Sequence, residues 1–190
     1  MTPARWSPVL LLLVALCLTA SAAVAQIVRP TTRVTTTPAS RPATEPNSPP
    51  ATEKGAWADA KVGTMVKSKL RGDMTRTQEV VKADEKTVTL KTTVSVKDVK
   101  PSDVEMPRLF TVDQLQKAME AMGRRTGADT LKIAGTVAPC DIYEKDMKFG
   151  DRAVKTKTWV CKDVPGWVVR IDSDATGKME TISEVVEFKK

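Results

Sequence analysis

The sequence predicts an α+β fold that is mainly β: a curled antiparallel sheet, or half-barrel, of about seven strands with one covering helix. Three observations lead to this prediction. Apolar and polar residues alternate with a period of two through most of the chain after residue 56, turn-forming residues separate the alternating segments, and only the segment 111–123 follows a helical period. A sheet with one apolar face is expected to curl around the single helix.

The first part of the chain predicts export. Arg5 precedes an apolar run over residues 9–18, and Ala-Val-Ala at 23–25 supplies the small-x-small pattern that a signal peptidase reads. The run is shorter than the roughly 20 apolar residues that span a bilayer. We therefore expect a signal peptide over residues 1–25, cleaved before Gln26, and a mature protein in the periplasm, the envelope or the extracellular space.

After the predicted signal peptide, the sequence predicts a disordered linker followed by one folded domain. Thr, Pro, Ala and Ser dominate residues 26–55, which carry no apolar period, so we expect a disordered linker there. Residues 56–190 are enough for one domain with one core, the half-barrel domain.

Charge and composition exclude several functions. The net charge of +7 is spread along the chain without a basic block, which does not favour nucleic-acid binding and predicts at most a peripheral contact with an anionic envelope surface. Histidine is absent, which removes the Ser-His and Cys-His nucleophile pairs and the usual zinc sites. No carboxylate pair stands out, so we expect no enzyme activity, no cofactor and no metal.

The first strands form a predicted meander, followed by a loop. Gly72-Asp73 and residues 83–85 are turn signals, and residues 98–110 carry Pro101 and Pro107 without a clear period, which predicts a loop. The alternating segments between these signals are 62–71, 74–82 and 86–97.

The single helix begins and ends at recognisable residues. Thr111 and Gln114 fit a capping box, and Gly123 is a suitable terminator. Its apolar stripe consists of Val112, Leu115, Ala118, Met119 and Met122. Leu115, Met119 and Met122 are candidates to line a ligand cavity between helix and sheet; the alternative is that the methionines fill the core.

The strands resume after the helix. We expect strands over 129–148, with a break near Pro139, and over 152–162, 166–173 and 178–188. The turn signals between them are Gly150-Asp151, Pro165-Gly166 and residues 175–177.

The hairpin around Gly150-Asp151 predicts a disulfide. A two-residue turn there places Cys140 opposite Cys161 and Ile142 opposite Trp159, and it also pairs Glu144 with Lys157 and Asp146 with Lys155. Cys140 and Cys161 would occupy a non-hydrogen-bonded site with closely spaced Cα atoms, within disulfide reach. In an oxidising compartment we expect the bond to form, and the alternative is two buried thiols.

Two further features carry open alternatives. Trp159 and Trp167 are candidates to line an apolar cavity; we favour a core position for Trp159 and leave Trp167 open. Residues 172–177 (DSDATG) match the first half of a calcium loop, but Ser183 stands where the closing Glu should be, and a polar hairpin turn explains the same residues.

The segment 159–170 (WVCKDVPGWVVR) resembles a recurring element of small exported bacterial proteins of unknown function. Residues 130–135, Cys140 and residues 62–64 fit the same pattern. These proteins are similar to the lipoprotein-carrier (LolA-like) superfamily, and the resemblance covers roughly residues 56–97 and 129–190. It implies a half-barrel sheet that wraps a helix and can hold acyl chains. Trp167 stands where a second Gly is usual.

The sequence therefore leads to two functional hypotheses. The first is a non-enzymatic envelope protein that shelters a lipid or another apolar ligand between sheet and helix. The second is a structural or protein-interaction module with a solid core and no such ligand.

Overall fold

A computed structural model describes residues 51–96, 99–149 and 152–190. The predicted signal peptide, the cleavage point before Gln26 and most of the predicted linker lie outside these residues, as does the predicted Gly150-Asp151 turn. In chain order, the elements are β1 (Thr52–Lys54), β2 (Met65–Leu70), β3 (Thr75–Ala83), β4 (Thr87–Val94), β5 (Ser102–Pro107), β6 (Leu109–Thr111), α1 (Val112–Met122), β7 (Arg124–Ile133), β8 (Thr136–Phe149), β9 (Arg152–Val160), β10 (Val168–Ser173) and β11 (Glu180–Lys189).

Most of these strands belong to one large antiparallel sheet, which confirms the α+β, mainly β class. Its strand order is β5-β4-β3-β2-β11-β10-β9-β8-β7, and a second, two-stranded sheet pairs β1 with β6. The large sheet thus has nine strands where the sequence analysis expected about seven. Two meanders, β2 to β5 and β7 to β10, are joined by β11.

The large sheet is curled but not closed. Strands β7 and β11 are four places apart in the sheet order, which in a flat sheet would separate them by about 19 Å. Some of their Cα atoms nevertheless approach within 8 Å of each other. The outermost strands, β5 and β7, are not hydrogen-bonded to each other, so the sheet remains open.

The loop predicted over residues 98–110 is wrong for most of its length. Ser102–Pro107 form β5, which pairs with β4 and places Pro107 opposite Thr87. Because β5 is an outermost strand, a proline that cannot donate to a neighbour is tolerated there. Pro107 therefore marks an edge strand rather than a loop, and Pro101 directly precedes that strand.

The break predicted near Pro139, within the strand expected over residues 129–148, lies earlier in the chain, and Pro139 is inside β8. The chain turns at Ala134-Gly135, and Ile133 pairs with Thr136 across that turn. Both turn residues have positive φ, 48° at Ala134 and 85° at Gly135, as in the type I′ turns of tight hairpins. Alanine seldom adopts this conformation, so the sequence carried only half of the usual turn signal.

The helix is confirmed with both of its predicted ends. The Thr111 hydroxyl accepts from the Gln114 main-chain N–H at 3.2 Å, and the Gln114 side chain accepts from the Thr111 N–H at 2.9 Å. Gly123 ends the helix with φ of 111°, and a Cβ atom there would collide with the carbonyl group of Glu144. Only a glycine fits where the chain passes so close to β8.

Helix α1 packs at the side of the large sheet rather than over its centre. It contacts β1, β6 and β8, and Lys145 on β8 donates to the carbonyl oxygen of Ala121 at 2.9 Å. Of the apolar stripe, Ala118 alone is fully buried, while Val112 is 42% exposed. The helix therefore covers the sheet only in part.

The main core is formed by side chains from both halves of the large sheet. A tryptophan from the segment between β1 and β2, Trp57, completes it and is only 4% exposed. The other principal members are Val66, Val80, Val88, Leu90, Met106, Ile133, Ala138, Ile142, Trp159, Val169 and Val185.

The folded unit begins before residue 56. Strand β1, which lies within the segment predicted as linker, pairs with β6 and places Thr52 opposite Thr111. Residues 52–54 are thus hydrogen-bonded to the rest of the described fold. The sequence gives no strand pattern for β1, because its three residues are all polar and show no apolar alternation.

Candidate functional site

The predicted hairpin register is confirmed. Asp141 pairs with Val160, Ile142 with Trp159 and Glu144 with Lys157, and the pairing runs without a shift along the whole hairpin. Cys140 and Cys161 follow the Asp141–Val160 pair at the end of the hairpin away from the turn, and they form a disulfide with a Cα–Cα distance of 4.3 Å. This spacing is that of a close, non-hydrogen-bonded pair.

The disulfide anchors one end of a compact loop over residues 161–167. The Cys161 N–H donates to the carbonyl oxygen of Trp167 at 2.7 Å, and the Trp167 N–H donates to Val164 at 3.0 Å. A third bond leaves the loop, from the Gly166 N–H to the carbonyl oxygen of Ala56 at 3.0 Å. The loop is thus fixed both to β9 and to the N-terminal segment.

The N-terminal segment over residues 55–64 is held from the other side by Arg108. The Arg108 guanidinium donates to the carbonyl oxygens of Ala58 and Ala60, the second at 2.9 Å. The Trp57 ring lies directly beneath the loop, because a Cβ atom at Gly166 would come within 3.0 Å of it. The two irregular segments are therefore in direct contact through the Trp57 ring and the Gly166–Ala56 hydrogen bond.

A pocket of about 250 Å³ opens to solvent between these two segments. It is smaller than the roughly 300–1,000 Å³ of most small-molecule sites. No residue of helix α1 lines it. Its lining consists of Gly55, Ala56, Ala58, Asp59, Ala60, Thr64, Lys162, Asp163, Val164, Pro165, Trp167 and Lys190.

Trp167 is the least expected feature of this pocket. Its φ of 60° places a bulky residue in the left-handed region that favours glycine. Such a conformation costs of order 1–3 kcal/mol and persists only where the surroundings enforce it. The result is an indole that is held half-buried in the pocket wall instead of entering the core.

The charges around the pocket are mixed. Lys162 and Lys190 contribute ammonium groups, and the Lys162 Nζ lies 5.9 Å from the centroid of the Trp167 ring. Asp59 and Asp163 contribute carboxylates, and Asp59 Oδ1 accepts from Lys54 at 2.8 Å. Donors and acceptors thus surround one aromatic surface.

Trp159, the other candidate tryptophan, is part of the core as favoured. Lys157 Nζ and Arg170 Cζ each lie 4.9 Å from its ring centroid, and its indole N–H donates to Asp129 at 3.3 Å. Arg170 is fixed by a two-point contact with the buried Asp172, at 2.9 and 3.0 Å. The hydrogen bond that the Arg170 guanidinium donates to Asp172 raises the pKa of that guanidinium.

The helix candidates do not meet the tryptophan candidates at one site. Leu115, Met119 and Met122 are half-buried on α1, while Trp167 lines the pocket between the loop and the N-terminal segment. The sequence analysis missed the contribution of residues 55–60, because this segment has no periodicity. The pair Gly55 and Trp57, a tight glycine followed by a large aromatic, was the signal that could have been used.

The calcium-loop alternative finds no support. Arg170 occupies both carboxylate oxygens of Asp172, and Asp174 Oδ1 accepts from the Lys155 N–H at 2.6 Å. Within the described ranges, no three Cys, Asp or Glu side chains are grouped to hold a metal ion. In the same part of the chain, no helix has the length and apolar character to cross a membrane.

Comparison with known proteins identifies no relative: no family model, no curated protein and no solved structure matches this chain.

Proposed function

We propose that this chain is an exported, non-enzymatic binding protein whose working surface is the pocket at Trp167. The observation that carries the proposal is the left-handed backbone of Trp167, which holds an indole at the pocket instead of in the core. Strained backbone conformations concentrate at functional sites, and half-exposed tryptophans are enriched in binding surfaces.

The remainder of the molecule supports a scaffold role. The core beneath the loop is filled by large side chains, including Trp57 and Trp159. The disulfide ties the loop to β8, the hydrogen bond from Gly166 to Ala56 joins the loop to the N-terminal segment, and the Arg108 guanidinium holds that segment in place. A site that is rigid before binding loses little conformational entropy when it binds. The absence of histidine from the sequence favours binding over catalysis.

A lipid carrier is the second candidate. It is favoured by the half-buried side chains of Leu115, Met119 and Met122, which form an apolar stripe beside the sheet. An acyl chain would have to separate α1 from β6 and β8 to enter. The Trp167 pocket is too small and too polar at its rim to take a long acyl chain, so the two candidates use different surfaces.

The two candidates are separated by one set of variants. Purified protein is sedimented with isolated envelope material from its own host, and wild type is compared with Trp167→Ala and Met119→Lys. We expect Trp167→Ala to weaken co-sedimentation by at least about tenfold, as for a central anchor residue. Met119→Lys and the control Val137→Ala, at a side chain 66% exposed outside the pocket, should bind as wild type.

Unchanged binding by Trp167→Ala would contradict the proposal. Native mass spectrometry of the same preparations tests the second candidate. A lipid adduct that is present in wild type and absent in Met119→Lys would favour the carrier.

A further inference from the structure

We infer that the Trp167 pocket recognises a sugar ring of an envelope or extracellular glycan. This inference rests on the proposed function, because it names the ligand class of the same site. It follows from the shape, the polarity and the rigidity of the pocket.

The aromatic surface is suited to one face of a pyranose. A sugar ring presents an apolar face of C–H groups and a rim of hydroxyls, and an indole offers a flat apolar surface of similar extent. Trp167 is half-buried and lines the pocket. Lys162 Nζ lies over the ring at 5.9 Å from its centroid, within cation–π range, so its ammonium would stand beside a stacked sugar and could donate to a hydroxyl.

The polar groups around the indole match hydroxyls better than a single charge. Asp163 and Asp59 can accept hydrogen bonds, and Lys162 and Lys190 can donate them. Lys54 also pairs with Asp59 at 2.8 Å, so neither sign of charge is in strong excess around the pocket, which disfavours a strongly anionic or cationic ligand. A hydroxyl both donates and accepts, and a ring with several hydroxyls can use all four groups.

The size and position of the pocket suit one unit of a longer chain. Its volume of about 250 Å³ accommodates a small ring rather than a whole oligosaccharide, and its open mouth leaves space for neighbouring units. The ligand would therefore enter as a terminal or side residue of a polymer. Residues 55–64 and 161–167 form the two walls between which it would lie.

The site is also organised before any ligand arrives. The Cys140–Cys161 disulfide, the Cys161–Trp167 hydrogen bond and the bond from Gly166 to Ala56 fix the loop. Affinity for a single sugar ring is low, so a fixed site is an advantage. Binding to a polymer would then gain from repeated units.

The test is a titration with soluble probes: the trimer of N-acetylglucosamine, cellotriose and maltotriose. Binding is followed by tryptophan fluorescence and by calorimetry. We expect at least one probe to bind, Trp167→Ala to weaken that binding by at least about tenfold, and Trp167→Phe to remain within about threefold of wild type. Asp163→Asn should weaken binding, whereas Asp103→Asn on β5, outside the pocket, should not.

The outcomes distinguish this inference from the proposed function. If no probe binds while Trp167-dependent co-sedimentation persists, the ligand is not a sugar and only the inference fails. Displacement of envelope material by a glutamate-rich peptide, with no effect of the sugars, would assign the site to an acidic protein partner instead. If Trp167→Ala binds the probes as wild type does, the site itself is misassigned.

Discussion

The main-chain N–H of Cys161 and the carbonyl oxygen of Trp167 are joined by a 2.7 Å hydrogen bond. The same Cys161 is bonded through sulfur to Cys140 and is 0% exposed. The covalent link of the hairpin and the aromatic residue of the pocket are therefore one hydrogen bond apart. Removing the disulfide should therefore also alter the position of Trp167 in the pocket.

Removing the disulfide should lower stability and loosen the pocket together. The bond closes a loop with a sequence separation of 21 residues, for which we expect a loss of about 3 kcal/mol in the double variant Cys140→Ala/Cys161→Ala. Urea unfolding, followed by tryptophan fluorescence, measures the loss.

The accompanying measurement is thiol titration of the native wild type. Because both sulfurs are buried, we expect no reaction until the protein is unfolded and reduced. Two reactive thiols in the folded protein would show that the bond is not formed.

Replacing Trp167 with Gly should leave stability nearly unchanged. Glycine relieves a left-handed conformation that costs roughly 1–2 kcal/mol, which offsets the lost contacts of a half-buried indole. We expect the free energy of unfolding to stay within about 1 kcal/mol of wild type. The comparison is Trp159→Ala, in the core, which should cost about 3–5 kcal/mol. A loss at Trp167→Gly as large as that at Trp159→Ala would make Trp167 a packing residue.

Replacing Ala134 with Asn should stabilise the protein. The variant places Asn-Gly, the preferred pair of a type I′ turn, where Ala134 now has φ of 48°. Since asparagine tolerates this region better than alanine, we expect a gain of about 0.5–1 kcal/mol. Thermal unfolding measures it. Gly135→Ala is the opposite control and should destabilise; a gain there would contradict the turn geometry.

Alkaline pH should destabilise the fold through Tyr143, the one tyrosine in the chain. Burial raises the pKa of its phenol above the ordinary value near 10. The folded protein keeps the proton while the unfolded chain releases it. This contribution to stability is therefore complete below about pH 10 and is lost as the pH rises further.

An ultraviolet titration of tyrosinate follows this one group directly. Tyr143→Phe should remove the part of the alkaline loss that belongs to the phenol. A folded-state titration at the ordinary pKa would contradict the burial.

The sequence was sufficient wherever local chemistry agreed with the fold. The capping box of Thr111 and Gln114 located the helix, and opposite charges such as Glu144 and Lys157 located the hairpin register and its disulfide. In both cases several residues at fixed spacing pointed to one geometry. A single shift of register would have broken all of these pairs.

Prediction failed where the decisive contacts were long-range. Pro107 was predicted to lie in a loop. A strand can accept this proline only at the edge of a sheet, and the edge position is known only once the whole sheet is assembled. The turn at Ala134 was not predicted, because alanine seldom adopts the positive φ that it has there. The pocket walls, from residues 55–64 and 161–167, lie a hundred residues apart in the sequence, and no periodicity connects them.

Strand β11 is the last strand in the sequence, yet it occupies the centre of the large sheet between β2 and β10. Neither meander can join the other until this strand is inserted, so the complete sheet depends on contacts between distant parts of the chain. Topologies of this kind fold slowly. Because the last strand fills the central position, the sheet can be completed only when the whole chain through Lys189 is present.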